Sequence, residues 1–196
     1  MRKRILFLAF LIEGGLGLAA VGIGECLGRS PLENVHWSFA AVGGGVLATI
    51  PLLSLYFFFK KSTLPQTKKI FEILETELRP FFQSSTLADI LMVCTLAGLC
   101  EELFFRGTLQ YLFSLWLNPY LALFCTSVLF GLAHLITRPY ATIAGTVGLY
   151  LGLLALFTNN LAPAIVAHGT YDLIVILLLL RTPPSRFLTS PGRIDS

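Results

Sequence analysis

Charge is what this sequence has least of. Of its 196 residues only 13% are Asp, Glu, Lys or Arg, against 55% hydrophobic, whereas a water-soluble domain carries about a quarter charged residues. Too few polar side chains remain to cover a water-facing surface, so the outside of the fold has to face lipid. Cysteine is sparse as well. Cys26, Cys94, Cys100 and Cys125 include no CxxC pair of the kind that builds metal or redox sites. Cys100 stands beside charged residues, but no His lies close enough in sequence to make it a nucleophile, and it reads as a small apolar filler. HExxH is absent, which removes the familiar zinc-protease helix. Gly43-Gly44-Gly45 lacks a following Lys-Ser/Thr and reads as close helix packing. No basic groove with interleaved aromatics is present, which argues against nucleic acid as a partner.

What the sequence does have is long apolar runs. A hydrocarbon core of roughly 30 Å needs about 20 apolar residues per helix, and only helices or closed barrels satisfy the backbone there. The runs are too long for barrel strands. Six of them, at 5–24, 38–59, 86–115, 119–136, 140–157 and 161–180, predict an all-α polytopic membrane helical bundle with six transmembrane helices. Met1-Arg2-Lys3-Arg4 before the first run looks superficially like a signal peptide. Glu13 interrupts that run, and Ile23-Gly24-Glu25 before Cys26 is a poor lipoprotein cleavage site, so a retained first helix is expected. Glu13, alone in its span, is expected to line a packed or wet interface. Between the second and third runs, Ile70, Phe71, Ile73, Leu74, Leu78 and Phe81 recur at helical spacing opposite Lys68, Lys69, Glu72, Glu75 and Glu77. This pattern predicts an interfacial amphipathic helix ending near Pro80. The expected organisation is a two-span segment with that helix (1–85), a core (86–180) and a disordered tail (181–196).

Basic residues set the expected orientation. With a cytoplasmic N-terminus, the inner segments hold Arg2, Lys3, Arg4, Lys60, Lys61, Lys68, Lys69, Arg79, Arg138, Arg181, Arg186 and Arg193. These are twelve of the fourteen Lys and Arg residues. By the positive-inside rule both termini are cytoplasmic.

Ionisable residues inside a membrane are costly and usually face a cavity or a partner. Here they concentrate in three runs: Glu101, Glu102 and Arg106 in the third, His134 in the fourth, His168 and Asp172 in the sixth. On a helix Glu102 and Arg106 are i and i+4, so they share a face and can pair. Glu101 lies about 100° around the axis with no partner on its own helix, which suits a general base or a metal ligand. His168 and Asp172 are again i and i+4, a common way to orient a ring, polarise water or hold a metal. His134 supplies a second imidazole. Since no Ser or Cys has a nucleophile setting, water is the expected attacking group. The competing reading is that these pairs only glue helices together. Asp89, near the inner end of the third run, is expected to be either a solvated charge or one at a helix N-terminus. His134 falls near the inner end of its run while its partners are mid-run, which predicts a water-filled cavity displaced toward the inner side.

In these residues the chain resembles the CPBP family of intramembrane proteases, also called the Abi or CAAX-protease family. Its motifs EExxxR, FxxxH and HxxxN/D read here as Glu101-Glu102-xxx-Arg106, Phe130-xxx-His134 and His168-xxx-Asp172, in the family's order, over about 86–180. The stretch Asn159-Asn160-Leu161-Ala162-Pro163 is also family-like. The resemblance implies a metalloendopeptidase, founded on hydrolysis of prenylated CAAX proteins, acting on a membrane-associated or lipidated substrate. Bacterial relatives are linked instead to bacteriocin immunity or membrane-protein processing. It further implies that Glu101 activates water with help from His134. His168 and Asp172 would stabilise the oxyanion or orient the water, and Glu102 and Arg106 would hold the site. Both a divalent metal such as zinc on Glu101, His134, His168 and Asp172 and a metal-free, glutamate-activated water are argued for this family. Asp172, where eukaryotic relatives often have Asn, adds a negative charge that suits a cation or a protonated imidazole. Two other functions stay open at the level of sequence: a non-enzymatic immunity or regulatory protein keeping the fold, and a proton-coupled transporter.

Overall fold

The computed structural model describes residues 2–181; the predicted tail 182–196 lies outside the described residues. Among the described residues every element is helical. The first helix, α1 (Arg2–Cys26), runs unbroken through Glu13. Next comes α2 (Phe39–Lys61), where the Ser38 side chain caps the Ala41 N–H and Lys60 and Lys61 close the last turn, each favourable at its own end. The amphipathic segment forms α3 (Pro65–Ile73), a π-helical turn (Leu74–Leu78) and α4 (Arg79–Phe82). Its Thr67, Ile70 and Phe82 are buried while Lys68, Lys69, Glu72 and Glu77 are exposed. The Arg79 guanidinium donates to the Leu179 carbonyl, tying this segment to the end of the last helix.

A capping box between Thr86 and Asp89 starts α5 (Leu87–Glu102), so Asp89 is the N-terminal charge its position suggested. The rod continues without a break through a π-helical segment (Leu103–Leu109) into α6 (Gln110–Ser114). Asn118 caps α7 (Pro119–Ala133), and Thr137 caps α8 (Arg138–Thr158). Asn159, in the left-handed region at φ 47°, ends α8, a conformation Asn tolerates better than most residues. The last helix is α9 (Ala162–Arg181).

Among the described residues four helical stretches are long and apolar enough to cross a membrane: Leu6–Cys26, Phe39–Lys61, Arg138–Thr158 and Ala162–Arg181. The other two expected spans are present as helices of different form. The third is the α5–α6 rod with its π segment, and the fourth, α7, has 15 residues and reaches about 22 Å at 1.5 Å per residue. Large apolar side chains point outward along the bundle, among them Phe7, Leu18, Leu47, Phe58, Phe124 and Phe157. That surface suits lipid and not water. The protein is an all-α integral membrane bundle.

At the centre stands α9, packed against α2, α5 and α8. Its closest approach to α5 runs through two glycines. A Cβ on Gly98 would lie 2.8 Å from Gly169 N and from Ile165 O, and one on Gly169 would lie 2.9 Å from Cys94 O. With no side chains between them, the backbones come near enough for residues one turn further on to touch. Ala20, Leu52, Leu103, Leu151 and Ala164 form the main apolar cluster nearby.

Candidate active site

The α5–α9 contact places Glu102 against His168. Oε1 of Glu102 is 2.9 Å from His168 Nδ1 and 3.2 Å from Arg106 Nη1. Glu102 is fully buried, and Arg106 is 5% exposed, so this charge pair is out of solvent and depends on mutual neutralisation. The pairing expected from i, i+4 spacing survives although Arg106 sits in the π segment, whose turn is wider than that of an α-helix. Such π insertions occur often at functional sites. Arg106 also donates to Gly148 O at 2.8 Å, and its guanidinium carbon lies 4.5 Å from the Phe130 ring centre. Gly148 leaves room for it: a Cβ there would stand 3.0 Å from Arg106 Nη2.

His168 is held from both sides. Its Nε2 faces Asp172 Oδ2 at 3.5 Å, so carboxylate oxygens stand at both ring nitrogens, and an imidazole donates from both only as the cation. His134, at the C-terminal end of α7, is fixed differently. Its Nδ1 bonds the Phe130 carbonyl at 2.8 Å, and its ring stacks on Phe130 at 4.5 Å between centroids. With Nδ1–H donating to that carbonyl, Nε2 carries the lone pair. Nε2 points at Glu101 Oε2, 3.8 Å away. Oε2 of Glu101 and Oε2 of Glu102 are shut off from solvent and meet no donor among the described residues.

His134 reaches Glu101 because α7 is short. Glu101 lies about 21 Å along α5 by helical rise, deep between its neighbours, and α7 ends beside it at Ala133. The fourth helix therefore stops beside the cluster, short of the 136 expected from its apolar run.

All six expected site residues, Glu101, Glu102, Arg106, His134, His168 and Asp172, converge in one connected set. One face of the set opens on a cavity of about 250 Å³. His134, His168 and Asp172 line part of it; the rest is mostly apolar, including Phe71 and Leu74 of the amphipathic segment and Ile143 of α8. Three tyrosines, Tyr56, Tyr140 and Tyr171, share this lining and were not singled out from sequence. Their scattered positions carry no motif. The Asn159-Asn160 stretch has a structural task. Asn160 accepts from His36 N at 2.9 Å and donates to His36 O at 2.8 Å, clamping the entry to α2 onto the start of α9.

A divalent metal fits this donor set poorly. Both nitrogens of His168 and Nδ1 of His134 are engaged. Among the described residues no group of three or more His, Cys, Asp or Glu side chains is arranged to hold an ion.

The fold and this cluster together define a helical membrane protein with an ionisable centre buried between its helices. Residues 83–174 match the family described as Rce1-like, type II CAAX prenyl endopeptidase. The matched segment begins just before α5, ends within α9 and contains all six residues of the cluster; over it the chain is similar to that family, in agreement with the three motifs. No curated protein and no solved structure matches the chain.

Proposed function

We propose that the protein is an intramembrane endopeptidase that hydrolyses a peptide bond with a water activated by Glu101 and His134. One observation carries this reading. The Glu101 carboxylate and the His134 imidazole lone pair face each other at 3.8 Å, and His134 lines an apolar cavity. Both side chains keep part of their surface open, 29% for His134 and 11% for Glu101, so a water entering from the cavity donates one O–H to the carboxylate and one to the imidazole and turns its own lone pair outward. Glu101 takes the proton as the water attacks the scissile carbonyl, then returns it to the leaving amine. His168 Nε2–H, only weakly engaged by Asp172 at 3.5 Å, is the donor available to the developing oxyanion. Glu102 and Arg106 hold the His168 ring in place from behind.

The apolar cavity supports a lipid-modified or membrane-embedded substrate, with the family's CAAX-type prenylated peptides as its leading class. The clustering of basic residues supports cytoplasmic termini and cleavage of chains approaching from the cytoplasmic leaflet. The test is purified protein in lipid nanodiscs, incubated with prenylated peptides and with proteoliposome membrane proteins, with new termini read by mass spectrometry. Wild-type protein is expected to generate cleavage products and Glu101→Ala none. Equal product from both would sink the reading.

A further inference from the structure

The cavity lining carries three phenols that take no part in the hydrolysis described above. Tyr56 of α2, Tyr140 of α8 and Tyr171 of α9 all contribute to it, and outside the charged set the Cys94 thiol is its one other polar side chain. A buried tyrosine hydroxyl usually finds a hydrogen-bond partner, as that of Tyr150 does on Ala48 O at 2.9 Å. Among the described residues these three hydroxyls have none. Tyr56 is 7% exposed, and its ring is held edge-on by Phe71 at 5.5 Å. None of the three hydroxyls is sealed off as the Oε2 atoms of Glu101 and Glu102 are. Three donors therefore stand open on a wall that gives them no acceptor.

Helix contacts fix how deep each one lies. Helices α2 and α9 run side by side in the same direction: a Cβ on Gly45 would meet Pro163 O at 2.7 Å, and Thr49 Oγ1 lies 3.5 Å from Ala167 O. His168 is one residue past Ala167 and Tyr171 four, while Tyr56 is seven past Thr49. By helical rise Tyr171 is about 4.5 Å and Tyr56 about 9 Å beyond the level of His168. His168, Tyr171 and Asp172 share one face of α9, as residues at i, i+3 and i+4 do. On α8, a Cβ on Gly131 would lie 2.6 Å from Ala141 O, which sets the adjacent Tyr140 level with the end of α7, where His134 stands. An extended peptide advances about 3.3 Å per residue, so the span from His168 to Tyr56 takes in about three residues.

We infer that Tyr56, Tyr140 and Tyr171 are substrate-binding residues whose hydroxyls donate to main-chain carbonyls of an extended peptide. A hydrocarbon chain has no acceptor to offer a phenol, whereas every peptide unit carries a carbonyl. A mostly apolar pocket with a few placed polar groups takes up an apolar ligand and orients it through those groups. The apolar walls hold the substrate's lipid or apolar side chains, and the phenols hold its backbone in line with Glu101 and His134. The inference rests on the peptidase reading above and names what the site grips, which is backbone in whatever sequence.

The test measures binding apart from cleavage. Tyr56→Phe, Tyr140→Phe, Tyr171→Phe and the triple variant are made with Glu101 intact and again on Glu101→Ala, which binds without cutting. The ligands are a fluorescent farnesylated peptide and farnesyl methyl ether, which has the isoprenoid but no carbonyl. Phenylalanine keeps the ring and gives up a hydroxyl that has no protein partner, so each variant should melt as its parent does. Peptide Kd on Glu101→Ala is expected to rise about 2- to 10-fold per hydroxyl, the worth of one net hydrogen bond. With Glu101 present KM should rise in step, and kcat should change by less than about twofold. Kd for the ether should stay the same. An unchanged peptide Kd in the triple variant overturns the inference. So do equal losses for peptide and ether, or losses that follow a lowered melting temperature. Full turnover by Glu101→Ala overturns the peptidase reading instead, and the backbone grip then stands or falls by the Kd comparison.

Discussion

Phe130 and His134 meet twice: the Phe130 carbonyl takes the Nδ1 hydrogen bond at 2.8 Å, and the two rings stack at 4.5 Å. One residue thereby sets both the tautomer and the plane of the imidazole that faces Glu101. The same ring packs edge-on against Phe105 and His168, at 5.0 and 5.9 Å between centroids, and lies beneath the Arg106 guanidinium. Phe130→Leu keeps the carbonyl and much of the volume but removes the stack and the cation–π contact. It should cost kcat about 10-fold or more through misorientation, with only modest loss of stability. Phe130→Ala should in addition destabilise by about 3–5 kcal/mol. Unfolding in detergent and steady-state kinetics separate the two effects. A Leu variant with unaltered kcat would show that the carbonyl alone orients His134.

The Glu102–Arg106 pair makes a second prediction. Both side chains are almost wholly buried, so removing one partner leaves an uncompensated charge, at a cost of about 3–5 kcal/mol. Arg106→Ala and Glu102→Ala should each approach that loss. Arg106→Met combined with Glu102→Gln should recover much of it, because neither charge then remains. Activity should not return with stability, since His168 Nδ1 has lost its carboxylate. A double-mutant cycle read by both melting and turnover tests this, and additive losses without recovery would refute the pairing.

Much of this arrangement was legible in the sequence, for local reasons. Helical spacing alone put Arg106 under Glu102 and Asp172 beside His168, and the isolation of Glu101 on its own helix was readable from the same geometry. The partner that Glu101 does have, His134, is set by tertiary structure: it depends on α7 ending at Ala133, where the apolar run continues through Leu135 and Ile136. Hydropathy could not place that end, because the residues past it are as apolar as those before. Nor could spacing show that only Gly45 of the Gly43-Gly44-Gly45 run meets a neighbour; a Cβ on Gly43 or Gly44 would meet nothing within 4 Å. Glu13 was visible as a lone charge, but the packing of its helix on α5, through Gly17 against Cys100, needed the tertiary structure.

Those glycines supply a control for the third prediction. Gly98→Ala forces a methyl against the backbone of α9, where neither helix can yield without separating. Overpacking of this kind costs about 1–3 kcal/mol, and it should also lengthen the Glu102–His168 contact and lower kcat. Gly43→Ala, into open space, should change neither quantity. Equal melting temperatures for Gly98→Ala and wild type would mean that α5 and α9 do not pack this closely.

With both His168 nitrogens engaged by carboxylates, catalysis should survive metal removal. Dialysis against EDTA or 1,10-phenanthroline is expected to leave kcat/KM within about twofold of the untreated protein. Loss restored by added zinc would require His168 or His134 to turn away from its present partners to free a ligand nitrogen.

The apolar cavity makes the last prediction, because its walls should decide which substrate is accepted. Ile143 of α8 lines it, half-buried and outside the charged network. Ile143→Trp narrows the cavity without touching His134, His168 or Glu101. Each hydrocarbon CH2 excluded from an apolar site forfeits about 0.8 kcal/mol of burial, so peptides with a long isoprenoid should suffer a raised KM. Short acyl peptides should bind as before. Ile143→Ala should act in the opposite direction and admit bulkier groups. Turnover at saturation should stay the same in all cases, because Ile143 takes no part in the charged network. If Ile143→Trp lowers kcat uniformly across chain lengths and leaves KM unchanged, the cavity does not hold the substrate's apolar group, and recognition must lie elsewhere on the protein.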